Sequence, residues 1–558
     1  MADPVNLLVF RDTRKRIPTH ALRRELCQRL EQITARSSSD EILEALIRAG
    51  ELECGLEDCK WPGGRRVCAL TDGLAGLLLG DMPTRQLEGS VRQVSEMSLP
   101  QAVEISPPEG FAHYALHPRD FADEASRSDS NHSYAIIGIR SIGTVLSAVW
   151  LAALRQRGIH ASRTTVRPAG HPYDRVTDFD PEQIRWIDQQ RVTGSRFVVV
   201  DEGPGLSGSS FLSVGEALVK QGVSAERITF LETRAVDPEK LCAPGAKGRS
   251  LQFRWECIKP SFYTRADHGI SLGGGNWRAS LVQDASDWPA CWPQMERLKF
   301  FSRDAKHVLK FEGLGRFGER ARQRAKCIAD GGFGPPVHDA GNGLSAYSFI
   351  AGRPLTQADL SKRYIELTGR YCAYRYSELR INSSTQSDLD EMARFNVSQE
   401  LGLTLDVPTE AFWSRDLVIC DGRMQPYEWI ANTEGKVFKV DACGHGDDHF
   451  FPGPSDIAWD LAGAIVEWDM DNDAAELLLN CYARRSGDNP KKRIGSFLVA
   501  YGAFRLAYCK MAGAAMQGSD EEVRLRRAYD YYRQRLAQDL SRAGYARLLA
   551  AERGQASD

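Results

Sequence analysis

The segment Phe197-Val-Val-Val-Asp-Glu-Gly-Pro-Gly-Leu-Ser-Gly-Ser-Ser-Phe211 decides how the middle of this 558-residue chain folds. Its apolar run predicts a buried strand that ends on two adjacent acids, Asp201 and Glu202. A turn of Gly and Ser follows, and a helix is predicted from Ser209 onward. Free backbone amides at the start of such a helix can hold a phosphate, so this turn is a candidate phosphate site.

Strands and helices alternate on both sides of this segment. Strands are predicted at Ser133–Ile139, Arg196–Val200 and Arg227–Glu232, and helices at Thr144–Arg157 and Ser209–Gln221. Continuous apolar strands alternating with helices indicate an α/β fold with a parallel sheet covered on both faces. Because ligands of open α/β sheets bind at the carboxyl edge, the two acids should lie beside a ligand.

The segment resembles the motif that binds 5-phosphoribosyl-1-pyrophosphate (PRPP) in type I phosphoribosyltransferases. The resemblance implies that Asp201 and Glu202 are catalytic acids that hold ribose hydroxyls, directly or through Mg²⁺. It also implies a PRPP-binding loop made of Gly205, Leu206, Ser207, Gly208, Ser209 and Ser210. The chain departs from the family at Gly203-Pro-Gly-Leu206, where the family often has Thr. The alternative is a Gly-rich turn that binds no ligand.

A second turn, Ile136–Thr144, would place Arg140 and Ser141 where the family binds pyrophosphate. Between the two turns, the Gly- and Pro-containing segment Arg163–Arg175 predicts neither a helix nor a strand, and it corresponds to a mobile loop of the family. Candidates for neutralising pyrophosphate there are Arg163, Arg167, His171 and Arg175. The alternative is a solvated basic loop.

Residues 295–550 resemble the aminoglycoside phosphotransferase and protein-kinase-like fold in several short pieces. Val308-Leu-Lys-Phe311 is similar to the strand with the ATP-binding lysine, here Lys310, and Glu319 would be its ion-pair partner. Val437-Phe-Lys-Val-Asp441 is similar to the strand that ends on the metal-binding acid, Asp441. The segment that ends in Asp460-Leu-Ala is similar to a corresponding segment of that family.

The catalytic loop departs from that family, which has His-Gly-Asp and then an Asn five residues after the Asp. Here the region reads Cys420-Asp-Gly-Arg-Met-Gln-Pro-Tyr-Glu-Trp429. With two extra residues in the loop, Asp421 would be the catalytic base and Glu428 would bind metal in place of Asn. In the alternative, structural interpretation, Asp456 and Asp460 cap helices and Asp441 ends a strand.

These patterns divide the chain into a helical amino-terminal region (1–84), a phosphoribosyltransferase-like α/β domain (85–290) and a kinase-like α+β domain (291–558). The expected function is transfer of the 5-phosphoribosyl group from PRPP to a small, nucleobase-like acceptor, with release of pyrophosphate. Acceptor contacts are expected from Pro107–Tyr114 or Tyr263–Arg278. The alternatives are an ATP-dependent small-molecule kinase with a ribosyl-phosphate-binding domain, and a PRPP sensor without catalysis. Mg²⁺ and ATP are the expected cofactors.

Composition narrows the remaining classes of function. A net charge of −3 argues against general nucleic-acid binding. Apolar stretches such as Val145–Leu154 are too short to span a bilayer, and the first 24 residues lack a secretory pattern, so we expect a cytoplasmic protein. The acceptor, the direction of the reaction and the oligomeric state stay open.

Overall fold

The computed structural model describes residues 6–205, 207–266, 268–282, 284–382, 388–414 and 416–548. The first described residues pack into the carboxy-terminal part of the chain. Leu7 and Val9 are buried in its hydrophobic core. The side chain of Asn396 accepts a hydrogen bond from the amide of Leu8 and donates one to its carbonyl, both at 2.9 Å.

The amino-terminal region is helical, as predicted, and is closed by a short antiparallel ribbon. Ser38 and Glu41 form a capping box at the start of the second helix. The elements are β1 (Lys15–Pro18), α1 (Thr19–Gln32), α2 (Ser39–Asp58), α3 (Gly64–Leu78), α4 (Glu88–Glu96), β2 (Ala102–Ile105), α5 (Glu109–Ala112) and α6 (Pro118–Ala125). Strands β1 and β2 pair with each other.

The middle of the chain forms a five-stranded parallel sheet with helices between its strands. The elements are β3 (Tyr134–Ile139), α7 (Ile142–Gln156), β4 (Ala161–Val166), β5 (Ala169–His171), β6 (Asp174–Val176), α8 (Pro181–Val192), β7 (Arg196–Val200), α9 (Ser209–Lys220), β8 (Ile228–Glu232), α10 (Ala246–Ser250) and β9 (Arg254–Cys257). The strand order is β4-β3-β7-β8-β9. Every residue of β3 is buried, as expected for a central strand, and the predicted α/β fold with a parallel sheet is confirmed.

The order of the strands reverses between β3 and β7. The chain passes from β3 to β4 on one side, and from β7 to β8 and β9 on the other. The loops after β3 and β7 therefore leave the sheet in opposite directions and open a crevice at its carboxyl edge, where ligands of such sheets bind. These two loops contain Arg140–Ser141 and Asp201–Gly208, so the topology brings the two predicted phosphate turns to one place.

Helices α2, α3 and α7 share one hydrophobic core with the sheet. Leu52, Leu74 and Val149 are fully buried in it, and Phe311 and Leu344 from later in the chain join the same core. This core therefore contains residues from both sides of the predicted boundaries at residues 84 and 290. Those boundaries stay predictions.

The segment predicted to be a loop at 163–175 is more regular in the structure. Arg163 lies in β4, opposite Ile136 of β3. Strands β5 and β6 form an antiparallel hairpin. The loop prediction is wrong because Arg163-Thr-Thr-Val166 continues the sheet, whereas Pro172 and Tyr173 form the turn of the hairpin.

A second five-stranded sheet, which is antiparallel, comes next. Its part of the chain contains α11 (Phe262–Arg265), β10 (Ile270–Ser271), α12 (Trp277–Leu281), β11 (Lys299–Phe301), β12 (His307–Phe311), α13 (Arg316–Asp330), β13 (Val337–Gly341) and β14 (Leu344–Ser348). The strand order is β10-β11-β12-β14-β13. Strands β11 and β12 form a hairpin, and α13 follows it.

The rest of the chain is mostly helical. It contains β15 (Gly352–Pro354), α14 (Lys362–Glu378), β16 (Arg380–Ile381), α15 (Leu389–Leu401), β17 (Leu403–Leu405), β18 (Leu417–Val418), β19 (Trp429–Asn432), β20 (Val437–Lys439), α16 (Ala458–Glu467), α17 (Asn472–Ser486), α18 (Ile494–Ala515), α19 (Asp520–Ala543) and β21 (Ala546–Leu548). Trp429 pairs with Lys439, so the loop before β19 and the residues after β20 lie at the same end of this ribbon. In the described part of the chain, no helix has the length and apolar character needed to cross a bilayer.

Candidate functional site

Asp201 and Glu202 follow β7 directly and lie at the carboxyl edge of the parallel sheet. Asp201 Oδ1 accepts a hydrogen bond from the amide of Glu202 at 2.9 Å, and Glu202 Oε2 accepts one from the amide of Gly110 at 2.7 Å. Burial, together with the neighbouring Glu202 carboxylate, raises the pKa of Asp201 well above its ordinary value, and burial raises the pKa of Glu202. Two partly buried carboxylates with raised pKa values suit a bound cation or sugar hydroxyls.

The turn of small residues after the acid pair leads into α9. Gly208 has a φ of 67°, and a Cβ at this position would lie 3.0 Å from the side chain of Leu241, so the turn requires Gly. The N-cap residue Gly208 provides no side-chain cap, and Ser207 Oγ accepts a hydrogen bond from the amide of Ser209 alone, at 3.2 Å. The amides of Ser210 and Phe211 therefore point out of the helix toward a position that suits an anion. Leu206, a predicted PRPP contact, lies outside the described residues.

The turn of the β5–β6 hairpin lies against the turn of small residues that precedes α9. The carbonyl of Pro172 accepts hydrogen bonds from Ser207 Oγ at 2.9 Å and from Ser209 Oγ at 2.8 Å. Two of the three serine hydroxyls predicted to bind phosphate are therefore used by the hairpin in this structure. A phosphate that took these hydroxyls would displace the Pro172 carbonyl, which would couple ligand binding to movement of the hairpin.

Two predicted pyrophosphate-binding arginines are held by acids of α2. Arg140 Nε lies 3.1 Å from Asp58, and Arg167 reaches the same carboxylate with Nε at 3.1 Å and Nη2 at 2.6 Å. Glu57 lies 3.7 Å from Arg140. A carboxylate that faces a guanidinium in this way occupies the place a phosphate would take. Ser141, at the start of α7, forms no side-chain cap.

Arg163 was a candidate for binding pyrophosphate, and the structure contradicts this role. Its guanidinium bonds both carboxylate oxygens of Glu53 at 2.8 Å and also bonds Asp72, and its side chain is only 1% exposed. Because β4 continues past Arg163, the side chain faces α2 and α3 instead of the crevice. Arg175 lies in β6, where burial and the nearby Arg14 lower its pKa.

The two segments expected to contact an acceptor lie in different surroundings. The first, Pro107–Tyr114, borders the acid pair, because Gly110 donates its hydrogen bond to Glu202. The second, Tyr263–Arg278, packs on the carboxy-terminal part of the chain, where Trp277 stacks on Tyr427 with ring centroids 5.5 Å apart. Only the first segment is therefore placed to contact a ligand beside Glu202.

A second candidate site lies between the antiparallel sheet and the helical part that follows it. Lys310 of β12 and Lys299 of β11 stand opposite each other, and both bond the carboxylate of Asp441, Lys299 at 2.9 Å. Although burial alone would raise the pKa of Asp441, the two ammonium groups hold it well below its ordinary value. The fold thus brings the predicted ATP-binding lysine to the predicted metal-binding acid, which is 131 residues away in sequence. We call this site the lysine–aspartate cleft.

Glu319 does not pair with Lys310, contrary to the prediction. The ammonium group of Lys310 lies 3.1 Å from Glu312. The side chain of Glu319 is 51% exposed and lies 3.7 Å from Arg29. The prediction is wrong because α13 turns Glu319 toward α1, while Glu312 at the end of β12 already holds the lysine.

Asp421, the predicted catalytic base, is fully buried. It accepts a hydrogen bond from the hydroxyl of Tyr371, and its other oxygen lies 3.3 Å from Lys439 Nζ. Arg375 lies 3.8 Å away. Because the Asp421 side chain is 0% exposed and surrounded by these groups, it holds the fold together and does not meet a substrate hydroxyl, which contradicts the role of base.

Asp460 fixes the position of the loop that contains Asp421 and Arg423. Its carboxylate accepts hydrogen bonds from the amides of Asp421 at 2.8 Å and Gly422 at 3.0 Å. Glu428 lies five residues after Arg423, the spacing between Asp and Asn in the family that this region resembles. Without extra residues, Arg423 stands where that family has its base. Burial alone would lower the pKa of Arg423, and nearby groups including Glu428 raise it.

Asp441 and Glu428 are the carboxylates that Mg²⁺ would use in the lysine–aspartate cleft. Glu428 Oε2 lies 2.8 Å from Lys439, so each carboxylate holds an ammonium group that a divalent cation would displace. The described residues contain no group of three or more His, Cys, Asp or Glu placed to hold a metal ion. This arrangement fits Mg²⁺ bound by one or two carboxylates together with nucleotide phosphates.

Comparison with known proteins gives matches among solved structures alone. No family model matches the chain, and no curated protein matches it. Choline kinase LicA from Streptococcus pneumoniae is 16% identical, with a TM-score of 0.28, over 43% of this chain and 89% of that one. Macrolide 2′-phosphotransferase MphH from Brachybacterium faecium is 15% identical, with a TM-score of 0.29, over 42% and 88%. An aminoglycoside phosphotransferase from Alicyclobacillus acidocaldarius is 11% identical, with a TM-score of 0.29, over 44% and 90%.

Sequence analysis missed several groups at these sites. Lys299 carries a detectable signal, because the hairpin register places it opposite Lys310. Arg423 could have been found by counting five residues back from Glu428. The pairing of Asp58 with Arg167 has no local signal, because the two residues are 109 positions apart.

Proposed function

We propose that this protein is an ATP-dependent small-molecule phosphotransferase whose parallel-sheet part binds a ribosyl phosphate. The lysine–aspartate cleft carries this proposal. There Lys299 and Lys310 converge on Asp441, with Arg423 and Glu428 close by. Cations beside two carboxylates suit a nucleoside triphosphate, with the lysines moving from Asp441 to the phosphates as Mg²⁺ takes the carboxylate. Bound Mg²⁺ would neutralise charge on the phosphate oxygens.

The reaction would transfer the γ-phosphoryl group of ATP to a hydroxyl of a small acceptor. The acceptor oxygen forms a bond to the γ-phosphorus while the bond to the leaving oxygen of ADP breaks, and the acceptor proton passes to water. Because such transition states are loose, the protein mainly positions the reactants and stabilises charge. The cationic Arg423, which stands where the resembled family has its base, fits the second of these tasks.

ATP turnover in the presence of Mg²⁺ tests this function. ADP formation would be followed with ribose 5-phosphate, nucleosides and amino alcohols as acceptors. Asp441→Asn and Lys310→Met should each lower kcat/KM by at least about a hundredfold, in line with the loss of one group that stabilises transition-state charge. Glu434→Gln is the matched control, since it changes an exposed acid in the turn between β19 and β20. Unchanged turnover in Asp441→Asn would refute the assignment.

Phosphoribosyl transfer from PRPP, or PRPP sensing without catalysis, is the second candidate function. The crevice between β3 and β7 favours it, because this crevice joins the acid pair, the uncapped start of α9 and Arg140. In the transfer reaction the bond from the ribose C1 to pyrophosphate breaks as a bond to the acceptor forms. The acid pair would hold the ribose hydroxyls, and the loop amides would hold the 5-phosphate.

Pyrophosphate release and thermal stabilisation separate these functions. PRPP should raise the melting temperature of the wild-type protein, and Asp201→Ala should reduce that shift. Glu226→Ala, an exposed acid before β8, is the control. Pyrophosphate release with a nucleobase supports transfer, whereas stabilisation without release supports sensing. An equal shift in Asp201→Ala and wild type would remove the crevice from consideration.

A further inference from the structure

A cavity of about 330 Å³ lies between the amino-terminal region and α13. It is lined by β1, α1, α2, residues 105–113, α13 and the segment that follows Asp441. Its volume lies within the range of small-molecule sites in proteins. Neither the acid pair of the crevice nor Asp441 lines it, so the cavity does not include the acids of either candidate site, although Pro107–His113 and Glu312 place it next to both.

The lining of this cavity has an excess of positive charge. Its carboxylates are Glu25, Glu51, Glu312 and Asp447. Its cationic side chains are Lys15, Arg48, Arg297, Arg316, Arg320 and Arg324. Burial lowers the pKa of His113, which also lines the cavity, so its imidazole adds no positive charge. Positive side chains therefore exceed negative ones by two.

Ion pairs account for four of these cations. They are Arg48 with Glu25 at 2.7 Å, Arg324 with Asp447 at 2.7 Å, Arg297 with Glu312 at 4.0 Å, and Arg316 with Glu51. Among the described residues, the side chains of Lys15 and Arg320 form neither a hydrogen bond nor an ion pair. Arg316 Nη1 has no hydrogen-bond partner, although it lies 4.0 Å from Glu44. Glu44 does not line the cavity, and it also pairs with Arg48 at 3.1 Å.

Repulsion among the cations adds to this imbalance. Burial, and then the neighbouring Arg316, lower the pKa of Arg320. Arg320 and Lys15 both line the cavity from exposed positions, so this burial is partial. Partial burial lowers the pKa of Lys15, and Arg320 is among the cations that lower it further. Unpaired charges of one sign, gathered around a concave and partly apolar surface, attract an anion of opposite sign.

We propose that this cavity binds a small molecule that carries a phosphate or pyrophosphate group. Guanidinium groups present paired donors that match the oxygens of a phosphate. Ile17, Ile105 and Phe317 supply an apolar surface for the uncharged part of the ligand. Enclosure by several segments of the chain favours a small molecule over a nucleic acid or a peptide. Glu312 lines the cavity and also holds Lys310 at 3.1 Å, so the bound anion would lie next to the lysine–aspartate cleft.

Calorimetric titration with inorganic pyrophosphate and with ribose 5-phosphate tests this site. The background is the full chain with Arg167→Ala and Lys310→Met, in which each of the other two anion sites has lost a cation. Adding Lys15→Ala and Arg320→Ala together should weaken binding by at least about tenfold, because each removes a charge-assisted contact. Adding Lys326→Ala, which removes a cation from α13 outside the cavity, should leave binding within about twofold. Equal affinity in the two variants would overturn the proposal.

Thermal melting gives an independent measurement on the wild-type background. Without added anion, Arg320→Ala should keep or raise the melting temperature, because it removes repulsion from Arg316. Pyrophosphate should stabilise the wild-type protein more than the double variant. A lower melting temperature for Arg320→Ala without anion would show that the side chain stabilises the fold, and it would count against a ligand site. Because this cavity does not use Asp441, binding here would persist even if ATP turnover were never found.

Discussion

Replacing Arg163 with Met should destabilise the protein strongly and leave its ligand crevice intact. The guanidinium of Arg163 is almost fully buried and bonds both Glu53 and Asp72, which belong to α2 and α3. Met fills a similar volume without charge, so the variant would leave two carboxylates buried without their cation. Breaking a buried ion pair by removing one partner costs about 3–5 kcal/mol. For a folding unit of roughly 200 residues this lowers the melting temperature by about 6–20 °C.

The effect should depend on pH. Burial raises the pKa of Asp72 even with Arg163 present, and without the guanidinium this pKa would rise further. The folded variant would then bind more protons than its unfolded chain, so its stability rises as the pH falls. The difference in unfolding free energy between wild type and variant should therefore be smaller at pH 5 than at pH 8.

Arg167→Met is the matched control for this experiment. It removes an arginine from the same part of the chain, but its side chain is 34% exposed and its partner Asp58 is accessible to solvent. An ion pair of this kind is worth about 0–1 kcal/mol. Urea unfolding at several pH values measures both variants. The reasoning is refuted if the two variants lose equal stability, or if Arg163→Met stays stable and instead loses ribosyl-phosphate binding.

Three further predictions concern charges that the fold brings together. Asp58→Asn should tighten pyrophosphate binding at the crevice by about tenfold, measured by titration, because it frees Arg140 and Arg167 from a competing carboxylate. Asp421→Asn should lower the free energy of unfolding by about 3 kcal/mol, because Lys439 and Arg375 lose a buried partner, whereas a true base would lose turnover at unchanged stability. Burial lowers the pKa of His449 to about 4, so stability should fall by about 2 kcal/mol between pH 7 and pH 5, and His449→Asn should remove much of that change.

Local patterns in the sequence predicted the crevice well. The apolar strand, the acid pair and the small-residue turn are consecutive, so their order along the chain determines their order in space. The helix α9 begins at Ser209, as predicted, and Gly208 has the positive φ that the turn before it requires. The partners of the predicted residues differ from the expected phosphate, because the hydroxyls of Ser207 and Ser209 donate to the carbonyl of Pro172 in the hairpin. No residue pattern near the loop signals that contact.

In the lysine–aspartate cleft, too, the sequence indicated the elements but not all of the contacts between side chains. The strands of Lys310 and Asp441 were expected from a resemblance to one family, and Lys310 and Asp441 do come together. Asp421 was expected to face a substrate because of its place in a motif, yet its burial depends on Tyr371 and Lys439, which come from other elements. A shift of two residues in the loop changes which side chain enters the cleft, and spacing alone left that shift open.

The amino-acid sequence by itself determined the strands, the helices, the phosphate-type turn and the identity of most charged groups near the two sites. The tertiary structure decided which of those groups meet: it buried Arg163 against α2 and α3, placed Asp58 on Arg167, and gathered unpaired cations around the cavity beside α13. The physical reason is the distance along the chain between the residues that interact. Secondary structure follows from neighbours a few residues apart, whereas an ion pair depends on packing between segments that can be more than a hundred residues apart.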